Sequence, residues 1–97
     1  MKKVYMTYFE VGSKSLSFKR KNIKGAFVTC FANASDMLLA IQISRETLIS
    51  DGYKITSIDK CLKFDREEWE EDQEIMKLVE ECERGDEIIY SYFLCYR

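Results

Sequence analysis

The side chain that most often moves protons near neutral pH is missing: the 97 residues include no histidine. Histidine is also the commonest metal ligand, so histidine-dependent triads and most zinc sites are excluded. Four cysteines are present, Cys30, Cys61, Cys82 and Cys95, at spacings of 31, 21 and 13 residues. These spacings match neither a C-x-x-C redox pair nor paired zinc ligands. The cysteines read as small buried apolar residues of a reducing compartment, with a disulfide between two of them left open. Carboxylates are abundant, but no two are set apart by environment as acid and base. No glycine-rich phosphate loop occurs, and no cysteine has an evident base. The expected protein is not an enzyme and holds neither cofactor nor metal.

Binding chemistry is better represented. Residues 1–64 carry 11 Lys/Arg against 5 Asp/Glu, a net +6, and residues 65–97 carry 4 against 12, a net −8. Poles of this kind steer charged partners, more weakly as salt rises. On a helix starting at Asp65, Glu67, Glu70, Glu74 and Glu81 share the solvent face, relieved only by Arg66 and Lys77, with Glu71 on the flank. Glu67 with Glu71, and Glu70 with Glu74, are like charges four residues apart, each costing about 0.2–0.5 kcal/mol on an isolated helix. The helix dipole favours acids in the first turn; Glu74, Glu80, Glu81 and Glu83 lie beyond its reach. These acids, with Trp69 as neighbouring aromatic, are the leading candidate surface for a protein partner with a basic face. A simply solvated helix gives the same pattern.

Two other surfaces compete with it. Lys14, Lys19, Arg20, Lys21 and Lys24 are uninterrupted by any acid and lie near Phe18, Phe27 and Phe31. Lys19, Arg20, Lys21 and Lys24 are therefore the alternative site, for nucleic-acid phosphates with a base stacked on an aromatic ring. The run Lys24-Gly25-Ala26-Phe27-Val28-Thr29-Cys30-Phe31 approaches an RNA-recognition strand, but it has one aromatic before Val28 and its last aromatic is one residue late. Tyr90, Tyr92 and Tyr96 share one face of a final strand with Ile88 and Leu94, and Leu39 with Ile43 sits opposite the core stripe of the first helix. Either surface suits a partner or a second copy, so a self-assembling structural protein is a further alternative.

The elements that would position these residues can be read from the apolar pattern. Forty-six per cent hydrophobic residues and 33% charged place the chain among single globular domains, residues 1–97. VYMTYFEV (4–11) reads as a strand, 15–20 as a short return strand, and AFVTCFA (26–32) as another. Ser35 is placed to cap a helix over 36–51, with Met37, Leu38, Ile41, Leu48 and Ile49 facing the core and Gly52 ending it. KITSIDKCLKF (54–64) is a strand. Asp65-x-x-Glu68, with Phe64 and Trp69 at hydrophobic-staple positions, starts a second helix that runs to Gly85 and buries Trp69, Ile75, Met76, Leu78, Val79 and Cys82. Asp72 falls in its apolar arc and calls for a lysine or arginine from elsewhere. IIYSYFLCY (88–96) is the last strand. The expected fold is α+β, order β(β)βαβαβ: a two-layer sandwich of a four- or five-stranded sheet with two helices on one face.

Phe31-Ala32-Asn33-Ala34-Ser35-Asp36 into Ala40, then Asp51-Gly52-Tyr53-Lys54-Ile55 and Ile58-Asp59, resembles the strand-helix-strand cassette of small bacterial accessory proteins. Among these are the compact acidic immunity proteins that neutralise toxins delivered between bacteria. The likeness covers residues 27–64 and carries over no functional residue. It implies a small cytosolic binder and nothing finer. The acidic face makes the leading expectation a non-enzymatic protein that occupies the basic surface of a partner, a nuclease-like toxin being one candidate. No apolar run nears the ~18 residues that span a membrane, and the start Met1-Lys2-Lys3 lacks the apolar stretch and cleavage site of a secretory signal. A cytoplasmic protein without membrane contact is expected.

Overall fold

The computed structural model describes residues 2–12 and 22–96. At its centre lie two long strands, β1 (Lys3–Gly12) and β2 (Gly25–Ala34), paired antiparallel from Lys3 opposite Ala34 to Gly12 opposite Gly25. β3 (Lys54–Lys63) pairs with the other edge of β1, and two short strands, β4 (Ile89–Tyr90) and β5 (Leu94–Tyr96), pair in turn with the other edge of β2. The five-stranded sheet is antiparallel throughout, with order β3-β1-β2-β4 and β5 beside β4 on β2. The α+β sandwich expected from the sequence is the observed class. The return strand expected at 15–20 lies outside the described residues.

The helices do not share a face. Strand residues alternate sides, and the two sides carry different neighbours. Tyr5, Ala32 and Ala34 pack with Ala40 of α1 (Met37–Ser50), and Phe9, Val11, Ala26, Val28 and Cys30 pack with its Leu48. Val4, Met6 and Phe31 point the other way and pack with Val79 and Cys82 of α3 (Gln73–Gly85). The expectation of two helices on one face is therefore corrected to one helix on each. The cause is that β1 and β2 are apolar on both sides, and each side needs a cover.

α1 is also rotated from its expected stripe. Asp36, not Ser35, caps it, its carboxylate accepting from the Leu39 N–H at 2.8 Å. The buried residues are Ala40, Ser44 and Leu48, with Ile43 packed beside Ala40, whereas Met37, Leu38, Leu39 and Ile49 are exposed. Small side chains at 40 and 44 let the helix approach a strand that itself presents Ala32 and Ala34. Leu48 then fills the wider space over Phe9. Gly52, at φ +93, ends the helix as expected.

This close approach strands one polar group. Ser44 is fully buried and its hydroxyl has no hydrogen-bond partner among the described residues. An unpaired buried hydroxyl costs about 1–3 kcal/mol, and alanine is the better helix former. Ser44→Ala is expected to raise stability by about 1 kcal/mol, read as a higher urea midpoint with an unchanged slope. A lower midpoint would show that the hydroxyl is satisfied.

The second expected helix is broken. Asp65 caps a single turn, α2 (Arg66–Trp69), and the chain turns at 70–72 before α3 begins. Asp72 causes the break: its N–H donates to the Trp69 carbonyl at 2.9 Å, and its carboxylate accepts from the Ile75 N–H at 3.1 Å. A residue expected in the apolar arc, in need of a cation, is instead the N-cap of a new helix. Phe64 and Trp69 do meet over the Val4–Met6–Phe31 cluster, as a staple should.

Candidate functional site

The break at Asp72 redistributes the acidic face. Glu67 sits on α2, Glu70 and Glu71 in the connecting turn, and Glu74 and Glu81 on α3. No continuous helix joins Glu67 to Glu71 or Glu70 to Glu74, so neither pair stands at the four-residue helical spacing expected from the sequence. Glu67, Glu70, Glu71 and Glu74 are exposed and Glu81 is half-buried. Two ion pairs occur among the described residues, Lys2 with Asp86 at 2.9 Å and Arg66 with Glu83 at 3.9 Å, and neither engages these five carboxylates. Both are exposed pairs of small energetic weight. Trp69 is half-buried against Val4, Met6 and Phe31 and seats α2 on the sheet.

Glu74 and Glu81 line a cleft of about 480 Å³ with Lys77, Leu78 and two tyrosines of the edge strand, Tyr90 and Tyr92. The tyrosines are not the single row expected. Cys30 faces Tyr90, but Phe27 faces Leu94, so one extra residue lies between β4 and β5. Ser91 holds the interruption: its N–H donates to the Thr29 carbonyl at 2.8 Å, and its hydroxyl accepts from the Thr29 N–H at 2.9 Å. A single insertion reverses the sides of all later strand residues. Tyr90 stays on the α1 side, edge-on to Phe93, and donates its hydroxyl to Asp51 at 2.6 Å. Burial, then that hydrogen bond, pushes its ionisation well above the ordinary tyrosine range. Tyr92, Leu94 and Tyr96 face the other side, where Tyr92 is 80% exposed.

On that other side α3 covers only the end of the sheet around Val4, Met6 and Phe31. The remainder is a groove of about 580 Å³, with Tyr8, Phe27, Ile58, Tyr92 and Leu94 as apolar lining and Glu10, Thr29, Ser57, Asp59 and Ser91 as polar lining. Glu10 is fixed within it. One carboxylate oxygen accepts from the Ser57 hydroxyl at 3.2 Å, and the other from the Tyr96 hydroxyl. The Tyr96 hydroxyl is in turn held above its usual ionisation, chiefly by that bond to Glu10. Tyr96 reaches Glu10 by lying across Gly25, where no side chain stands in the way.

Of the alternative basic site, Lys24 is exposed and its N–H donates to the Tyr96 carbonyl at 2.9 Å. Lys19, Arg20 and Lys21 lie outside the described residues, as does Phe18. Phe27 and Phe31 share a side, but Phe31 is fully buried under α3 and has no face to offer a base.

All four cysteines are free thiols. Burial pushes Cys30 up to about 12 and Cys82 up to about 11, which keeps both protonated and unreactive. Among the described residues no group of acids and cysteines is arranged to hold a metal ion, and no helix is long and apolar enough to cross a membrane.

The groove is the element that sequence reasoning missed. Glu10 was legible as an acid in an otherwise apolar strand. Its partners Ser57 and Tyr96 are 47 and 86 residues away, and no local spacing pairs them. Comparison with known families, curated proteins and solved structures finds no match to the chain.

Proposed function

We propose that this chain is a small non-enzymatic binding protein that captures a protein with a basic surface, acting in the cytoplasm as an inhibitor or immunity protein against a nuclease-like toxin. One observation carries the reading. Glu67, Glu70, Glu71, Glu74 and Glu81 are grouped on α2, α3 and the turn between them, and none is engaged by a cation among the described residues. Leaving several carboxylates unpaired together is a net repulsion that a basic partner relieves. The exposed ring of Tyr92 beside Glu74 and Glu81 supplies the apolar contact that slows dissociation. Opposite charge raises the rate of encounter and makes it salt-dependent.

The test is the double reversal Glu70→Lys with Glu74→Lys, used as bait beside the wild-type chain. Both positions are exposed, and Glu74 lies in the first turn of α3 where the dipole favours an acid, so the variant should stay folded and lose no more than about 1 kcal/mol in urea unfolding. Partner capture is expected to fall at least about tenfold, through a slower association rate that converges with wild type as salt is raised. Equal capture by a folded double variant removes the acidic surface from the account.

A further inference from the structure

The groove on the uncovered part of the sheet has a composition of its own. Phe27 is 51% exposed, Ile58 42%, Tyr92 80% and Leu94 69%, and all four line the same concavity. Adjacent apolar exposure of this kind marks a contact surface, where single scattered residues would not. Beneath them Glu10 is held by two hydroxyls, Ser57 and Tyr96. Those donors satisfy its oxygens without neutralising its charge, and neither ion pair among the described residues involves it. Asp59 adds a second carboxylate at the exposed rim.

A fixed anion among aromatic faces is complementary to a planar cation on an apolar stem. A guanidinium stacks on a ring and forks onto a carboxylate, and its propyl stem packs against aliphatic walls. The same face already holds a cation on a ring: the Lys60 ammonium lies 5.0 Å from the centroid of Tyr8. We infer that this groove binds an arginine side chain, presented by an extended segment of the basic partner. The inference rests on the proposal of such a partner and assigns it a second contact, on the sheet, which adjoins the α2–α3 cleft at Tyr92.

The full chain, labelled for amide NMR, is titrated with the capped peptide acetyl-Leu-Arg-Leu-amide. Saturable shifts are expected at the amides of Phe27, Ile58 and Leu94, and the glutamine analogue acetyl-Leu-Gln-Leu-amide is expected to bind about tenfold more weakly. Glu10→Gln should weaken the arginine peptide by a similar factor. Asp59→Asn, at an exposed position that does not endanger folding, should weaken it about threefold. Glu70→Lys with Glu74→Lys should leave peptide affinity within about twofold, because those side chains line no part of the groove. Equal binding of the two peptides, wild-type affinity in the folded Asp59→Asn variant, or shifts confined to α3 would each overturn the assignment. Capture of the protein partner through α2 and α3 is read separately and stands or falls on its own.

Discussion

Phe31→Ala should destabilise the domain by about 3–5 kcal/mol, the range for removing a buried ring from a core that cannot close around the space. Phe31 is fully buried in the middle of β2, between Met6 on one side and Ile89 on the other. It packs with Val4, Val79 and Cys82, and its carbonyl accepts from the Cys82 thiol at 3.4 Å. The strand beneath is pinned on both edges and cannot move into the cavity. Only α3 can, and moving it exposes Val79 and Cys82. In a chain of this length, with a total stability of about 5–15 kcal/mol, the loss is a large share, and the thermal midpoint should fall by well over ~10 °C. Amide exchange adds a sharper reading. Protection should be lost first in α3, while α1, seated on the opposite face by Ala40 and Leu48, keeps its own. A change below ~1 kcal/mol would mean that α3 does not depend on this face of the sheet.

That outcome bears on what the sequence could and could not say. The strands were legible because β-branched and aromatic residues crowd 4–11 and 26–32, and the staple was legible because Phe64 and Trp69 are local to Asp65. The side each helix covers was not. α1 carries apolar residues around its circumference, Met37, Leu38, Leu39, Ile41, Ile43, Leu48 and Ile49, so a wheel gives no single direction. The buried line was chosen by the smallest residues, Ala40 and Ser44, against the alanines of β2. The strands themselves held the missing information. Val4 and Met6 on one side of β1, with Tyr5, Phe9 and Val11 on the other, leave both faces needing cover. The break at Asp72 was within reach too, since an aspartate in an apolar arc is as good a cap as it is a poor core residue.

The candidate site was harder for a different reason. The acidic residues are close in sequence and remain a group in space, although their helix is not continuous. The groove depends on register. The inserted residue between Tyr90 and Leu94 decides that Tyr92 and Tyr96 leave the α1 side, and a strand's register is set by long-range pairing. Exposure of Phe27 with burial of Phe31, on the same side of the same strand, is decided by how far along the sheet α3 extends. Neither fact has a local sequence correlate.

Gly25 ties the groove to the fold, and Gly25→Ala is expected to cost about 1–3 kcal/mol by overpacking. The glycine is not required by its backbone angles, in contrast to Gly52 at φ +93 with open space around it. At Gly25 an added methyl would collide with the Tyr96 hydroxyl, lie 2.6 Å from Cζ of the same ring, and lie 2.8 Å from the Val11 carbonyl oxygen. The ring belongs to a three-residue strand and can swing aside, which removes the donor that Glu10 accepts from. The carbonyl belongs to β1 at the centre of the sheet and cannot, so the hairpin pairing around Gly12 and Gly25 must open. The two consequences separate experimentally. In wild type, Tyr96 ionises above the usual ~10 because Glu10 holds its proton. That contact therefore supports the fold below the ordinary tyrosine range and is lost as pH rises through the elevated value. In Gly25→Ala one tyrosine's share of the high-pH absorbance change should return to the ordinary range in an ultraviolet titration, while Tyr90 stays raised. Adding Tyr96→Ala to Gly25→Ala should recover only the part of the destabilisation owed to the ring, leaving that owed to the Val11 carbonyl. Full recovery in the double variant would show that β1 and β2 accommodate a methyl there, and that Gly25 serves the Tyr96–Glu10 contact alone.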